Sequence, residues 1–164
     1  MRVREDDVYV PPVAFSFRVA IDGADGDTGF QEVSGLKVEL EVEAVAEGGV
    51  HRFKHQLPTG TKYSNLVLKR GVVTTASPFG DWLASAMSGG LVRKRNAFKT
   101  IVVQLLDENA RPLIAWTVFG AYPLRWEHSA LNAMGSEVLT ETIELSYRTF
   151  QRRDLQKGAQ ARAA

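Results

Sequence analysis

A period-two alternation of apolar and polar residues is the dominant pattern of the chain. In residues 13–21 the odd positions are apolar and the even positions are small or polar, as in a strand with one buried face. Strand character recurs in residues 30–45, 100–106, 113–122 and 138–150. In the last of these runs, Glu141 interrupts the apolar face. Together these runs predict a β-rich fold.

Residues 48–71 carry the turn signals of a hairpin. Gly48-Gly49 and Pro58-Thr59-Gly60 are sequences that favour turns. The strand-like residues between and after them predict that residues 50–57 pair with residues 63–68. The polar connection at residues 107–112 predicts a second hairpin, which joins the two runs on either side of it.

One helix is predicted between residues 77 and 90. Ser77 is a favourable N-cap, and Pro78 suits the first helical position. Gly89-Gly90 marks the end of the helix. The residues with the spacing of a single apolar helix face are Phe79, Trp82, Leu83, Ala86 and Met87. A helix of about three turns is not stable alone, so we expect this face to pack on a sheet.

The pattern gives roughly six or seven strands and a single helix. Because the strands rarely alternate with helices, it predicts a mostly antiparallel β-sandwich or barrel-like fold with one flanking helix. The chain of 164 residues suits one domain. We expect a flexible N-terminal arm at residues 1–12, the β domain at residues 13–150 and a fraying C-terminal tail at residues 151–164.

The composition argues against several classes of protein. The formal net charge is only +1, which gives no strong field toward nucleic acid or an anionic membrane. The chain has no cysteine, which rules out disulfides and thiolate metal sites. The N-terminus is charged, and no apolar run approaches the roughly 20 residues that span a bilayer. We therefore expect a soluble domain without dedicated nucleic-acid or lipid binding.

No constellation of residues predicts catalysis, a cofactor or a metal. His51 and His55 are four positions apart, but in a strand that spacing separates them by about 13 Å. Asp22, Asp25 and Asp27 lie in a glycine-rich loop that lacks the terminal glutamate of a calcium loop. The chain also lacks a Gly-x-Ser-x-Gly elbow and a phosphate-binding glycine pattern. We therefore predict no catalytic residue, no cofactor-binding residue and no metal ligand.

Charge is segregated between two neighbouring segments. Glu39, Glu41 and Glu43 alternate with apolar residues and form an acidic ladder along one strand face, whereas residues 48–80 contain no acidic residue. Such complementary charge favours head-to-tail pairing between copies, which closes into rings or continues as filaments. The same charges can also meet within one monomer. The predicted inter-subunit interface consists of Glu39, Glu41, Glu43, Arg52, Lys54, His55, Lys62 and Tyr63.

The three tryptophans differ in their predicted environments. Trp82 lies on the apolar face of the helix and is predicted to be a core residue. Trp116 and Trp126 are harder to place, and Trp126 lies outside clear periodicity. Aromatic residues near a turn can anchor a subunit contact or form a satellite core, and both alternatives stay open.

A series of short motifs runs along the chain. In order, they are Phe30-Gln31-Glu32-Val33-Ser34-Gly35-Leu36, Glu47-Gly48-Gly49, Phe53-Lys54, Leu57-Pro58, Leu66-Val67-Leu68-Lys69-Arg70-Gly71, Phe79-Gly80-Asp81-Trp82, Trp116-Thr117-Val118, Ala121-Tyr122-Pro123 and Glu141-Thr142-Ile143-Glu144-Leu145. As a set, these motifs resemble those of contractile phage tail tube proteins. They are similar to the family's early strand and Val-Ser-Gly-Leu turn, its helix start and its last two strands. The likeness spans about residues 13–150. The family includes the inner tube and tube-initiator proteins of phage-tail-like contractile injection systems and is related in fold to the type VI secretion tube.

This resemblance implies a β-barrel-like sandwich with one helix, which forms hexameric rings that stack into a tube inside a contracting sheath. Residues 13–150 would be the tail-tube domain, and residues 44–65 resemble the extended hairpin that reaches the adjacent ring. The chain could be the repeated tube subunit or the tube initiator that joins the tube to the baseplate. The implied partners are other copies of the chain, a sheath protein, baseplate hub or spike proteins and possible cargo in the lumen. The particle is expected to assemble in the cytoplasm.

Two other classes of protein stay open on the residues alone. A monomeric β-barrel ligand-binding protein would be recognised by a monomer with a closed apolar cavity. An enzyme built on a split barrel would need a cofactor or a perturbed acid–base pair. The sequence offers no constellation for such a site, so we predict that the chain is not an enzyme.

Overall fold

The structure is a computed structural model, and it describes residues 16–22, 29–45, 55–75, 77–90, 98–135 and 137–155. These residues form nine strands and one helix. The elements are β1 (Ser16–Ile21), β2 (Phe30–Ser34), β3 (Val38–Val45), β4 (His55–Tyr63), β5 (Leu66–Gly71), α1 (Pro78–Ser85) with a final turn at Ala86–Gly90, β6 (Lys99–Leu106), β7 (Pro112–His128), β8 (Thr140–Ser146) and β9 (Thr149–Asp154).

The strands form an antiparallel sheet of seven strands and a separate two-stranded hairpin. Neighbouring strands in the sheet follow the order β1-β6-β7-β8-β5-β2, and β9 also pairs with β7. The long strand β7 divides the sheet into two halves and belongs to both. Its first part pairs with β6 and β9, and its last part pairs with β8. Gly120 lies at this change of partner and has a φ of +65°. The resulting barrel-like sandwich with one helix confirms the predicted fold class.

One hydrophobic core fills the space between the two halves of the sheet. Alternate side chains of the strands point into it, and they include Val19, Ile21, Leu66, Leu68, Ile101, Val103, Ile143 and Leu145. Helix α1 contributes Phe79, Trp82 and Leu83. The ring of Phe79 makes edge contacts with Phe30 and with Trp82, in both cases with ring centroids 5.5 Å apart. The helix therefore packs on the sheet through the face that the sequence predicts.

Helix α1 begins where the sequence predicts. The hydroxyl oxygen of Ser77 accepts a hydrogen bond from the backbone N–H of Gly80 at 3.2 Å, as an N-cap does. Gly89 has a φ of +93° and ends the final turn. Met87 is exposed rather than buried, because it lies in this final turn, where the backbone leaves the helical path.

Strand pairing between residues 30 and 71 differs from the sequence prediction. Residues 30–45 form two strands, β2 and β3, separated by a turn at Gly35. Strand β4 pairs with β3, so the predicted pairing of residues 50–57 with residues 63–68 is wrong. Pro58-Thr59-Gly60 lies within β4 rather than in a turn.

The C-terminal strand region also differs in detail. Residues 138–150, predicted as one strand-like run, are divided between β8 and β9, and β9 continues to Asp154. The predicted N-terminal arm at residues 1–12 lies outside the described residues. No helix in the described part of the chain is long and apolar enough to cross a membrane.

Candidate functional site

The two-stranded hairpin stands apart from the barrel. Within the residues that the structure describes, β3 and β4 pair with each other and with no other strand. Val38, Leu40 and Val42 form an apolar stripe on β3, and Leu40 is 67% exposed. An isolated two-stranded hairpin is marginally stable in water, and grouped exposed apolar residues mark interaction surfaces. The hairpin therefore has the properties of an element that another molecule covers.

The acidic ladder of Glu39, Glu41 and Glu43 lies on the opposite face of β3 from the apolar stripe, because side chains alternate along a strand. All three residues are exposed. Lys62 is directly opposite Glu39 on β4, whereas the residues opposite Glu41 and Glu43 are uncharged. The ladder is thus only partly neutralised across the strand pair.

Within the part of the chain that the structure describes, Glu39 has two cationic neighbours, Lys37 and Lys62. The Lys37 Nζ donates to the Glu39 Oε1 at 2.5 Å. This hydrogen bond, with the charges of Lys37 and Lys62, holds the pKa of Glu39 below its usual value. Because the pair is exposed, solvent and salt screen it strongly. For Glu39, the acidic and basic segments therefore do meet within one chain, as the second of the two alternatives from the sequence expects.

A bulge explains why a proline lies inside β4. The pairing register shifts between Glu41 and Val42, and the Thr59 hydroxyl donates to the backbone carbonyl of Glu41 at 3.1 Å. Proline has no N–H to give to a strand ladder, and it is tolerated at edges and bulges. Pro58 can therefore remain in the strand.

Tyr63 anchors the root of the hairpin to the barrel. Its ring centroid lies 5.7 Å from that of Tyr147 and 5.8 Å from that of Phe150. The Thr149 hydroxyl donates to the Tyr63 hydroxyl oxygen at 3.0 Å. Burial, with a further contribution from Tyr63, raises the pKa of Tyr147. The predicted interface residue Tyr63 thus has contacts within its own chain.

The turn at Gly35 sets the direction in which the hairpin leaves the barrel. Gly35 has a φ of +87°, and a Cβ at this position would lie 1.8 Å from the carbonyl oxygen of Asn65. The Tyr147 hydroxyl donates to the Gly35 carbonyl at 3.2 Å, and the Ser64 N–H donates to the Lys37 carbonyl at 3.1 Å. These contacts give a physical reason for glycine in the Val-Ser-Gly-Leu motif.

The remaining predicted interface residues are described only in part. Arg52 and Lys54 lie outside the described residues. His55 is the first residue of β4 and is opposite Val45 on β3. Among the residues that the structure describes, no group of three His, Asp or Glu side chains is arranged to hold a metal ion.

A buried ion pair inside the barrel was missed by sequence reasoning. The Arg70 Nε donates to the Glu141 Oε1, and the two residues are 2% and 3% exposed. The indole N–H of Trp126 donates to the other carboxylate oxygen at 2.8 Å. Trp126 and Trp116 both pack against the core, which favours the core alternative for these tryptophans. The signal for the pair was the position of Glu141 on the otherwise apolar face of its strand.

An open apolar groove of about 290 Å³ lies beside the root of the hairpin. Its lining includes Phe17, Val33, Leu36, Val103, Leu105 and Trp116. Leu36 lies two residues before the first residue of the hairpin, Val38, which places the groove at the same end of the barrel. The groove is open to the surface, unlike the closed cavity that a ligand-binding barrel would contain.

The fold and the hairpin define a structural protein built for assembly. The family model of the T4-like virus tail tube protein gp19 matches residues 13–151. Because this match spans most of the chain, the chain belongs to the T4-like tail tube protein family. It is a structural tube protein of the kind found in contractile injection systems.

Solved structures agree with this assignment. A chain of the anti-feeding prophage baseplate superposes with a TM-score of 0.76 and 29% identity, over 90% of this chain and 99% of that chain. A chain of the PVC extracellular contractile injection system, in its extended sheath–tube complex, gives a TM-score of 0.75 and 20% identity, over 90% and 95% of the two chains. A type six secretion system protein superposes with a TM-score of 0.55 and 15% identity, over 85% of this chain and 83% of that chain. The last two matches show the shared fold. No curated protein matches the chain.

Proposed function

We propose that this chain forms hexameric rings that stack end to end into the inner tube of a contractile injection system. The observation that carries the proposal is the projecting hairpin, which exposes an apolar stripe and an acidic ladder. Such a surface, when it binds a different surface on the next copy, produces a head-to-tail contact that closes into rings or continues as a filament. The family of the chain supports the tube as the product.

The hairpin is the proposed contact between copies. Its acidic ladder and apolar stripe are oriented to opposite sides, so the two faces can contact different neighbours. Lys62 and the basic residues predicted beside it attract the acidic ladder of another copy. The proposed interface residues are Glu39, Glu41, Glu43, Arg52, Lys54, His55, Lys62 and Tyr63.

A second role within the tube is the initiator ring that joins the tube to the baseplate. The observation that favours this role is the 29% identity to a chain of the anti-feeding prophage baseplate, against 20% to a chain of the PVC sheath–tube complex. An initiator would form rings on a baseplate hub protein, whereas a repeated subunit would extend such rings into long tubes. Light scattering and negative-stain imaging with and without a hub protein separate the two roles.

The proposed partners follow from the tube role. They are other copies of the chain, a sheath protein around the tube, baseplate hub or spike proteins at its end and cargo in its lumen. The role is structural and needs no catalysis. We propose that the particle assembles in the cytoplasm.

Substitution of the apolar stripe tests the proposal. The variant Leu40→Asp places a charge on the exposed stripe, so we expect a folded protein with wild-type melting behaviour that no longer forms stacked rings in negative-stain images. The matched control is Leu124→Asp, since Leu124 is also an exposed leucine in a strand but lies outside the hairpin. Unchanged stacking of Leu40→Asp would contradict the role of the hairpin. A wild-type protein that stays monomeric at high concentration and with a baseplate partner would favour a ligand-binding barrel instead.

A further inference from the structure

The loop between β7 and β8 is a second exposed apolar surface. Leu131, Met134 and Val138 are 84%, 96% and 74% exposed. We call the described residues of this segment, 129–135 and 137–139, the apolar loop. Three large aliphatic side chains this exposed in one short segment are typical of an interaction surface.

Hydrogen bonds hold the apolar loop in a defined shape. The Asn132 side-chain oxygen accepts from the N–H of Met134 at 3.0 Å, and the Asn132 carbonyl accepts from the N–H of Gly135 at 3.2 Å. At the base of the loop, Ser129 and Thr140 exchange two hydrogen bonds, at 2.8 and 3.0 Å. The aliphatic side chains are thus presented on a shaped turn, which lowers the entropy lost on binding.

The apolar loop and the hairpin lie at opposite ends of the same part of the sheet. The hairpin leaves the barrel just before Leu66, which pairs with Leu145. The loop returns at Thr140, which pairs with Gly71 at the other end of β5. The length of β8 between Thr140 and Leu145 separates the two ends by about 17 Å at the usual rise of a strand. The hairpin and the apolar loop thus expose apolar residues at opposite ends of the barrel.

We propose that the apolar loop of one copy is the surface on which the apolar stripe of the next copy binds. This inference rests on the proposed tube function and names the acceptor for its hairpin. Head-to-tail stacking brings opposite poles of two copies together, which is where these two surfaces lie. The loop also contains a recess of about 110 Å³ with a mixed lining, in which Leu131, Val138 and Leu139 lie beside Ser129, Asn132 and Glu137.

The charges of the two surfaces do not oppose this contact. Glu137 is the sole charged residue of the sequence between residues 129 and 139. The acidic ladder of the hairpin lies on the opposite strand face from the apolar stripe, so the stripe can bind the apolar loop without bringing the glutamates onto Glu137. The open groove is the rival acceptor, but it lies at the hairpin's own end of the barrel.

Disulfide crosslinking tests the inference, since the chain has no cysteine of its own. The probe is the double variant Leu40→Cys with Met134→Cys, assembled into stacked rings and then oxidised. The two positions of one copy lie at opposite ends of the barrel, too far apart for an intramolecular disulfide. Each copy then links to the next, so we expect a ladder of dimers, trimers and longer species on a non-reducing gel. Two control pairs combine Leu40→Cys with Leu124→Cys, and Leu40→Cys with Val33→Cys in the groove.

The outcomes separate this inference from the tube proposal. A ladder from the Met134 pair, and from neither control pair, supports the apolar loop as acceptor. A ladder from the Val33 pair alone, or stacked rings without any ladder, overturns the inference while the tube proposal stands. Absence of rings and stacks in the wild type overturns the tube proposal and the inference with it. As a second measurement, the double variant Leu131→Ser with Met134→Ser should raise the concentration needed for stacking about tenfold or more, without change in the melting temperature.

Discussion

Arg70 and Glu141 face each other inside the barrel as a directly opposed pair on β5 and β8. Burying two charges is costly unless both gain good partners. Here the Trp126 indole provides a further hydrogen bond to the carboxylate. The Arg70 guanidinium lies 4.9 Å from the ring centroid of Phe30, at a distance suited to a cation–π contact. The pair is therefore well supported, and neither residue is available as surface charge.

Loss of the Glu141 carboxylate should destabilise the fold strongly. In Glu141→Ala the Arg70 charge loses its buried counter-ion, so we expect the free energy of unfolding to fall by about 3–5 kcal/mol. Chemical denaturation measures this change, and Glu137→Ala, at an exposed position, is the matched control. The double variant Arg70→Met with Glu141→Leu should recover much of the loss. A single variant within about 1 kcal/mol of the wild type, a typical effect for ordinary substitutions, would show that the pair does not stabilise the barrel.

Tyr147 should make stability fall at alkaline pH. Burial raises its pKa, with a further contribution from Tyr63, so the folded state favours the neutral phenol. This contribution is fully present below the unfolded pKa of about 10 and is lost as pH rises through the folded pKa. We expect melting temperatures to fall less steeply above about pH 10 in Tyr147→Phe than in the wild type. Parallel pH profiles for the two proteins would contradict this role.

At the scale of elements, the position of the hairpin depends on one glycine. Any other residue at position 35 would have to adopt the positive φ of this turn, and its Cβ would collide with the carbonyl of Asn65. We expect Gly35→Ala to lower the free energy of unfolding by about 2 kcal/mol or more and to reduce stacking, because the hairpin root must shift. The control is Gly29→Ala, where a Cβ has no neighbour within 4 Å. Equal melting temperatures for the two variants would mean that the turn adapts without cost.

Periodicity predicted the strands well wherever one face is buried. Strand β1 was predicted from its period-two alternation and the helix from its apolar face and its Ser77 cap. Both elements are present in the structure. The pairing of β4 could not be predicted, because neither face of the hairpin is buried and the register is weakly specified by pattern. By sequence, Pro58-Thr59-Gly60 fits a turn equally well. In the structure these residues lie in β4, where the bulge beside Glu41 accommodates the proline. Register at such places depends on contacts between residues far apart in the sequence.

At the scale of the whole molecule, the sequence indicated one of the two proposed contact surfaces and not the other. The acidic ladder was predicted from the alternation of charge, and its three residues are exposed. The apolar loop was not, because Leu131, Met134 and Val138 lack the spacing of a buried strand or helix face. Their exposure appears only when the fold places them at the end of the barrel. The resemblance to tail tube proteins gave the fold class and the tube role, and the family match confirms both.

The separation of the hairpin from the barrel has a consequence for the kinetics of assembly. A segment with few buried contacts opens locally with a small free energy, so backbone amides of β3 and β4 are poorly protected from hydrogen exchange in a free subunit. Binding must order this segment, and the entropy lost weakens the contact between two isolated copies. In the proposed tube, a ring end offers several such contacts at once, which raises the effective concentration of each. Growth at an existing end is therefore favoured over the start of a new tube.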